Sequence, residues 1–264
     1  MSGSAAKRAG GAMVTLSKVG KTFSNGIVAL EGLDLAVGEG EFASLLGPSG
    51  CGKSTALRLI AGLAHPSVGR IDWPLAGADR DQAVSFVFQE PTLMPWASVF
   101  GNVHLPLKLR GVSAAEARPR VTEALARVGL DGFADAYPRE LSGGMKMRVS
   151  IARALITEPR LLLMDEPFAA LDEITRFRLN DDLLALWREF GWTVVFVTHS
   201  VFESVFLSSR ILVMAPRPGR VTREIRIDAP YPRDEEFRTS ARYAELCRET
   251  SHALRAALAT GAQR

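Results

Sequence analysis

The residues best suited to chemistry lie in one run, Gly47-Pro48-Ser49-Gly50-Cys51-Gly52-Lys53-Ser54-Thr55, which matches G-x-x-x-x-G-K-[ST]. Glycines at this spacing let backbone N–H groups converge on phosphate oxygens. Glu41–Leu46 before the run reads as a buried strand and Ser54–Leu63 after it as a helix, the context a phosphate-binding loop requires. The helix start adds partial positive charge. Lys53 is spaced to reach the β- and γ-phosphates of a nucleotide, and the Ser54 hydroxyl to ligate Mg²⁺. Cys51 is read as a small residue tolerated where backbone does the binding. The alternative is a thiolate favoured by Lys53 and the helix start.

A second chemical stretch is Leu161-Leu162-Leu163-Met164-Asp165-Glu166-Pro167, an apolar strand ending in two acids. Strand C-terminal ends are where α/β sheets place ligands. Asp165 is expected to hold Mg²⁺ through water, and Glu166 to polarise an attacking water. Phosphoryl hydrolysis needs positioning and charge stabilisation more than covalent help. Leu141-Ser142-Gly143-Gly144-Met145 reads as another anion-binding helix start, with a Ser142 hydroxyl and the N–H groups of Gly143 and Gly144. One γ-phosphate already has a loop, so a second phosphate-binding helix in the same chain needs a reason.

The elements that must position these residues read as an α/β domain with a largely parallel sheet. Val14–Phe23 and Val28–Val37 alternate as strands around a Ser24-Asn25-Gly26 turn. Val84–Phe88, Leu161–Met164, Thr193–Thr198 and Ile211–Ala215 read as short buried strands, the last of them closing the core. Ser142–Leu155 and Thr175–Phe190 read as helices. Residues 91–140 change texture: prolines and Trp96 come first, then helical spacing through Ala117, Val121, Leu125 and Val128. They read as a helical subdomain inserted between core segments 13–90 and 141–215. Residues 1–12 read as disordered, and residues 216–264 as a tail ending in a helix over Glu236–Leu258.

The 264 residues are 47% hydrophobic and 23% charged, ordinary globular composition that excludes a disordered, collagen-like or disulfide-stapled chain. The net charge of +3 is carried by the ends; from Arg217 to Arg264 ten arginines face seven acids. No basic face of the kind that binds nucleic acid marks the body, so no nucleic-acid partner is expected. Arg217, Arg220, Arg223 and Arg226 recur every three residues and read as solvated surface. Cys51 and Cys247 form neither a metal-spaced cluster nor a redox pair, which fits a reducing cytosol. The first residues lack a signal-peptide core, and no apolar run has the length of a membrane span.

Together these motifs resemble the nucleotide-binding subunit of an ABC transporter. The resemblance is carried, in order over residues 14–215, by the loop 47–55, Gln89 after a strand, LSGGM at 141–145, LLLMDEP at 161–167, Ala170-Leu171-Asp172, and His199 after TVVFVT. It implies a P-loop NTPase (RecA-like) core with a mixed, largely parallel sheet, an N-terminal antiparallel β region and a helical insert. It also implies ATP and Mg²⁺ as cofactors. The nucleotide would lie between Gly47, Ser49, Gly50, Cys51, Gly52, Lys53, Ser54 and Thr55 of one protomer and Ser142, Gly143 and Gly144 of a second ATP-binding subunit. That partner is expected to be a second copy of this chain.

In that arrangement Gln89 would ligate Mg²⁺, sense the attacking water and contact a membrane subunit. His199 would touch the γ-phosphate, Asp172 would lie at the dimer interface and Phe23 would stack on adenine. Met145 stands where many members have Gln, and Ser200 follows His199 where Asp is common.

FVFQEPTLMPW, THSVFES and APRPGRV further resemble bacterial importers of the nitrate/sulfonate/taurine type, a group that also handles pyrimidine and vitamin precursors. The implied partners are transmembrane permease subunits and, indirectly, an extracytoplasmic solute-binding protein, with this chain peripheral on the cytoplasmic face of the inner membrane. Leu93, Met94 and Trp96 would help form the permease groove. A soluble ABC ATPase serving a scaffold such as iron–sulfur cluster assembly is the alternative. The interval from Gln89 to Leu141 leaves no room for the coiled coils of chromosome-structural relatives.

Overall fold

The computed structural model describes residues 11–74 and 83–262, with side chains to residue 259. Of residues 1–12, read as disordered, 1–10 lie outside the described residues, whereas Ala12 already starts the first strand and pairs with Gly38.

The strands form two sheets. β1 (Ala12–Thr22), β2 (Val28–Gly38) and β4 (Val68–Asp72) make an antiparallel sheet in the order β2-β1-β4. β5 (Val84–Val87), β6 (Leu161–Asp165), β7 (Thr193–Thr198), β3 (Phe42–Leu46), β8 (Arg210–Ala215) and β9 (Arg220–Arg226) make the second, in that order. Its first five strands are parallel and β9 is antiparallel to β8. The mixed, largely parallel sheet and the separate antiparallel region agree with the expected fold class.

The central strands are apolar without a break because both faces are covered. Leu161 and Leu163, Val195 and Val197, and Ala43 and Leu45 face the antiparallel sheet and helix α1 (Lys53–Ile60). Leu162 and Met164, Val194 and Phe196, and Phe42 and Leu46 face the other helices. Burying one such large side chain contributes about 1.5–3 kcal/mol, so a slip by one residue in β3, β6 or β7 would turn both faces wrong at once.

Those other helices are α2 (Val99–Leu109), α3 (Ala114–Arg127), α4 (Gly143–Leu155), α5 (Glu173–Phe190) and α6 (Val201–Leu207). Ser98, Ser113, Ser142, Asp172 and Ser200 each cap one of them by accepting a backbone N–H at the first turn.

Several elements differ from expectation. α1 ends at Ile60, because Gly62 turns left-handed at φ 74°. The C-terminal helix is two: Ser240 lies extended between α7 (Glu235–Thr239) and α8 (Ala241–Ala262). β8 is not the last strand of the core sheet, since the arginine-rich stretch forms β9. That stretch buries Ile225, while Arg223 and Arg226 are exposed. α2, α6 and β4 were not anticipated; α2 carries an internal proline, Pro106, that interrupts the helical pattern.

Candidate functional site

The loop 47–55 runs from the C-terminal end of β3 into α1. Gly52 is the helix N-cap at φ 94°, and a Cβ there would lie 2.7 Å from both Ala29 O and Leu30 Cδ2. Backbone conformation and space therefore both demand glycine at this position. Gly47 is tight too: an added Cβ would meet Cys51 Sγ at 2.8 Å and Met214 O at 2.9 Å. Cys51 is buried beneath the loop, and that burial raises its thiol pKa despite the opposing pull of Lys53. The activated-thiolate alternative is thereby set aside.

The charged groups converge on one point. Lys53, 3% exposed, donates to the carbonyls of Gly47 (2.8 Å) and Pro48 (2.9 Å), and its Nζ stands 3.2 Å from Glu166 Oε1. The other oxygen of Glu166 is 2.9 Å from His199 Nδ1. An ionised carboxylate only accepts, so this bond puts the ring proton on Nδ1. Glu166 itself is held at φ 46°, just past β6, by its N–H donating to Val197 O of β7 at 3.0 Å. Strain of this kind gathers at functional positions.

Ser54 donates to Asp165 Oδ1 at 2.8 Å. Asp165 is buried, and desolvation raises its pKa even though the Ser54 hydrogen bond opposes that shift. The pair offers oxygen ligands side by side at the end of β6. Mg²⁺ takes one or two such protein ligands and completes its shell with water and phosphate. Among the described residues no group of three or more His, Cys, Asp or Glu is placed to hold a metal. Two adjacent oxygen donors, Ser54 and Asp165, suit a Mg²⁺ whose remaining ligands come from a nucleotide and water.

A cleft of about 690 Å³ opens above these groups. It is lined by Phe23, Ser49, Gly50, Gly52, Lys53, Ser54, Thr55, Gln89 and Glu166 from the sequence reading, and also by Ile27, Val28, Ala29 and Arg217. Phe23 is 43% exposed beside the 24–26 turn, and Gln89 is exposed just after β5. Ile27, Val28 and Arg217 were not read as site residues from the sequence. The two apolar residues resemble ordinary strand positions, and Arg217 lies more than 160 positions from the loop it approaches.

Ser142, Gly143 and Gly144 do not line this cleft. Ser142 accepts from Met145 N at 3.2 Å and starts α4, with Ser142 and Gly143 exposed. Gly144 packs against α5 so closely that a Cβ would meet Thr175 Cγ2 at 2.7 Å. Asp172 is exposed and caps α5 by accepting from Thr175 N at 2.9 Å. Ser200 caps α6 by accepting from Glu203 N at 3.3 Å, the local use of the position where Asp was expected.

Four similarities bear on identity. Residues 30–169 match the family described as ABC transporter. The Taurine import ATP-binding protein TauB of Rhizobium johnstonii is 46% identical over 231 residues, covering 84% of this chain and 87% of that one. Aliphatic sulfonates import ATP-binding protein SsuB 1 of Pseudomonas savastanoi pv. phaseolicola is 46% identical over 214 residues, covering 81% and 85%. The cassette MJ0796, solved as a dimer in a post-hydrolysis state bound to ADP and Pi, has a TM-score of 0.72 and 36% identity. It covers 83% of this chain and 100% of its own. With the lysine and serine of a helix start set against an acid pair at a strand end, the chain belongs to the ABC transporter ATP-binding family and is an ATPase.

Proposed function

We propose that this chain is the ATP-binding subunit of an importer for a small anionic solute of the taurine or sulfonate kind. In this reading it works through a partner permease at the cytoplasmic face of a membrane. Nitrate-like anions and pyrimidine or vitamin precursors are further solutes of this class. The observation that carries the reading is the bonded chain Lys53–Glu166–His199 beside the Ser54–Asp165 pair, with Lys53, Ser54 and Glu166 lining one cleft. The import functions of TauB and SsuB 1 support the transport half. Among the described residues no helix is long and apolar enough to cross a membrane, so the channel would be the partner's.

Lys53 and the backbone N–H groups of the loop bind the phosphates. Drawing Lys53 toward the γ-phosphate weakens its hold on Glu166 Oε1, leaving that oxygen to take a proton from water. His199, tied to the other oxygen, fixes the carboxylate and faces the γ-phosphate. Ser54 and Asp165, with Gln89, would hold Mg²⁺, which supplies charge neutralisation across the phosphates. Phe23 stacks on adenine. Ser142, Gly143 and Gly144 present an anion-binding helix start to the nucleotide of a second subunit, with Asp172 at the same interface. ATP binding would then shift the pair toward a closed state, and product release would reopen it.

Residues 91–140 form the surface facing the permease. A groove of about 400 Å³, lined by Phe86, Phe88, Leu105, Leu109 and Arg153, runs beside it. Leu93 packs inward, whereas Trp96 is 77% exposed and free to meet a cytoplasmic helix of the permease.

The test is an affinity pull-down of the Glu166→Gln variant with Mg-ATP from gently solubilised membranes, with partners identified by mass spectrometry. A polytopic membrane protein whose addition stimulates wild-type ATPase is expected. A soluble scaffold with no membrane protein would overturn the importer assignment and leave the ATPase chemistry intact.

A further inference from the structure

The cleft has a second set of residues that loop chemistry does not use. The turn between β8 and β9 is stitched to the start of β2: Gly219 N donates to Ala29 O and Glu31 N donates to Gly219 O, each at 3.0 Å. A Cβ on Gly219 would lie 2.0 Å from Cys51 O, so the turn also seats directly on the phosphate loop. The chain leading into Ala29 carries Ile27 and Val28, and Phe23 N donates to Ile27 O at 2.9 Å. A continuous chain of backbone bonds thus links Phe23, the apolar wall and the turn that delivers Arg217. All of them line one cleft.

Arg217 is exposed and makes no hydrogen bond, ion pair or ring contact among the described residues. Arg220, Arg248 and Arg255 of the tail are likewise without a side-chain partner there, but each lies within a strand or helix, and of the tail arginines Arg217 alone lines the cleft. Arg217 is also held at φ 46°, in the left-handed region that non-glycine residues rarely adopt. Only five non-glycine residues among those described have positive φ, and Glu166, also at 46°, lines the same cleft. A strained, unpaired cation lining a ligand cleft points to function.

We propose that Arg217 is a nucleotide-contacting residue whose guanidinium plane covers the face of the adenine opposite Phe23. The base would then be held between an aromatic ring and a cation. The phosphate end of the cleft already has Lys53 and the helix start. The wall beside Arg217 is apolar, and the group that belongs against an apolar wall is the flat base. A guanidinium is planar and weakly hydrated and lays its plane on aromatic faces, whereas an ammonium is a strongly hydrated point charge with no plane to stack. This rests on the reading of the cleft as the nucleotide site and adds a contact from outside its motifs.

The experiment is equilibrium binding of MgATP and MgADP to the full chain, with tripolyphosphate as a competitor that lacks the base. Arg217→Ala, Arg217→Lys and Lys53→Ala are measured in parallel. Arg217→Asn, a residue at ease at positive φ, replaces the alanine variant should that one not fold. Expected is a rise of about tenfold in Kd for both ATP and ADP in Arg217→Ala. Arg217→Lys should give little recovery, and competition by tripolyphosphate should be unchanged. Unaltered ATP affinity in Arg217→Ala, while Lys53→Ala is impaired, overturns the role of Arg217 alone. Full recovery by lysine, or an equal loss of tripolyphosphate binding, overturns the stack in favour of simple charge attraction. Wild-type affinity in Lys53→Ala as well would instead remove the reading of the cleft.

Discussion

The loop 47–55 and the helix start 142–144 are both glycine-rich and both open a helix, yet the chain treats them differently. The loop is surrounded by its own chemistry: Lys53, Asp165, Glu166 and His199 are joined to it or to each other by bonds of 2.8 to 3.2 Å. Among the described residues no acid, lysine or histidine is bonded to the helix start at Ser142. Its hydroxyl accepts from Met145 N as the helix cap, and its glycines pack against Leu171 and Thr175. A reactive group needs neighbours that set its charge, whereas a helix start needs only exposure to receive an anion brought by something else. The contrast is why the two are read as halves of a site completed by two protomers.

The largest effect should come from the loop side. Glu166→Gln keeps the side-chain volume and removes the carboxylate that would take the proton. Expected is a fall in kcat of about 10²–10⁴, with MgATP binding retained, read by steady-state ATPase and by equilibrium binding. Hydrolysis at the wild-type rate would show that another group is the base. Next comes Lys53→Ala, which removes a buried cation with three acceptors within 3.2 Å. A charged hydrogen bond to phosphate is worth about 1.5–3 kcal/mol, so ATP affinity should fall about tenfold to a hundredfold. Undiminished affinity would take Lys53 out of the role.

The helix-start side should respond in the opposite sense. Ser142→Arg places a bulky cation on an exposed position, far from the cleft in bonding terms. A monomer should bind ATP as the wild type does, while the ATP-stabilised dimer seen by size-exclusion with light scattering in a Glu166→Gln background should vanish. If that variant dimerises and its Glu166 parent hydrolyses ATP fully, the two glycine-rich segments are not halves of one site. The comparison then fails.

What was legible in the sequence follows the same division. The loop and the strand ending in Asp165-Glu166 are contiguous patterns whose spacing specifies a local backbone, and the apolar runs at 42–46, 161–165 and 193–198 could only be buried strands. β4 escaped notice because most of its residues are exposed and its glycine at 69 breaks any alternation. β9 escaped because an edge strand with three arginines looks like a solvated surface; its pairing is decided by β8, not by its own pattern. α6 is only seven residues long, too short for a period to show. Arg217 was visible as one of four regularly spaced arginines, but the turn that sets it apart is formed by Gly219 meeting Ala29 and Cys51. No local rule links positions so far apart.

The smallest expected effect lies on the path between the two regions. Glu203 is buried at the first turn of α6 and accepts from Thr198 Oγ1, whose oxygen in turn accepts from Ser200 N at 2.9 Å beside His199. Arg176 stands 3.6 Å from Glu203 and donates to Leu171 O at 2.8 Å, and the Leu171 side chain covers Gly143. Desolvation raises the Glu203 pKa above 4.5; Glu166 adds to that shift, while the Thr198 hydrogen bond, Arg176 and His199 oppose it without prevailing. The folded state therefore binds this proton more tightly than the unfolded chain, so the contribution of Glu203 to stability declines as pH rises from 4.5 through its folded value. Glu203→Gln accepts the same hydroxyl and carries no charge to desolvate. Relative to wild type, its Tm should therefore rise with pH across that window, by about 2–4 °C, and level off above it. A Tm difference that stays constant from pH 4 to pH 8 would mean that Arg176 compensates the buried charge fully. The path from Leu171 to His199 would then be held by that ion pair at every pH.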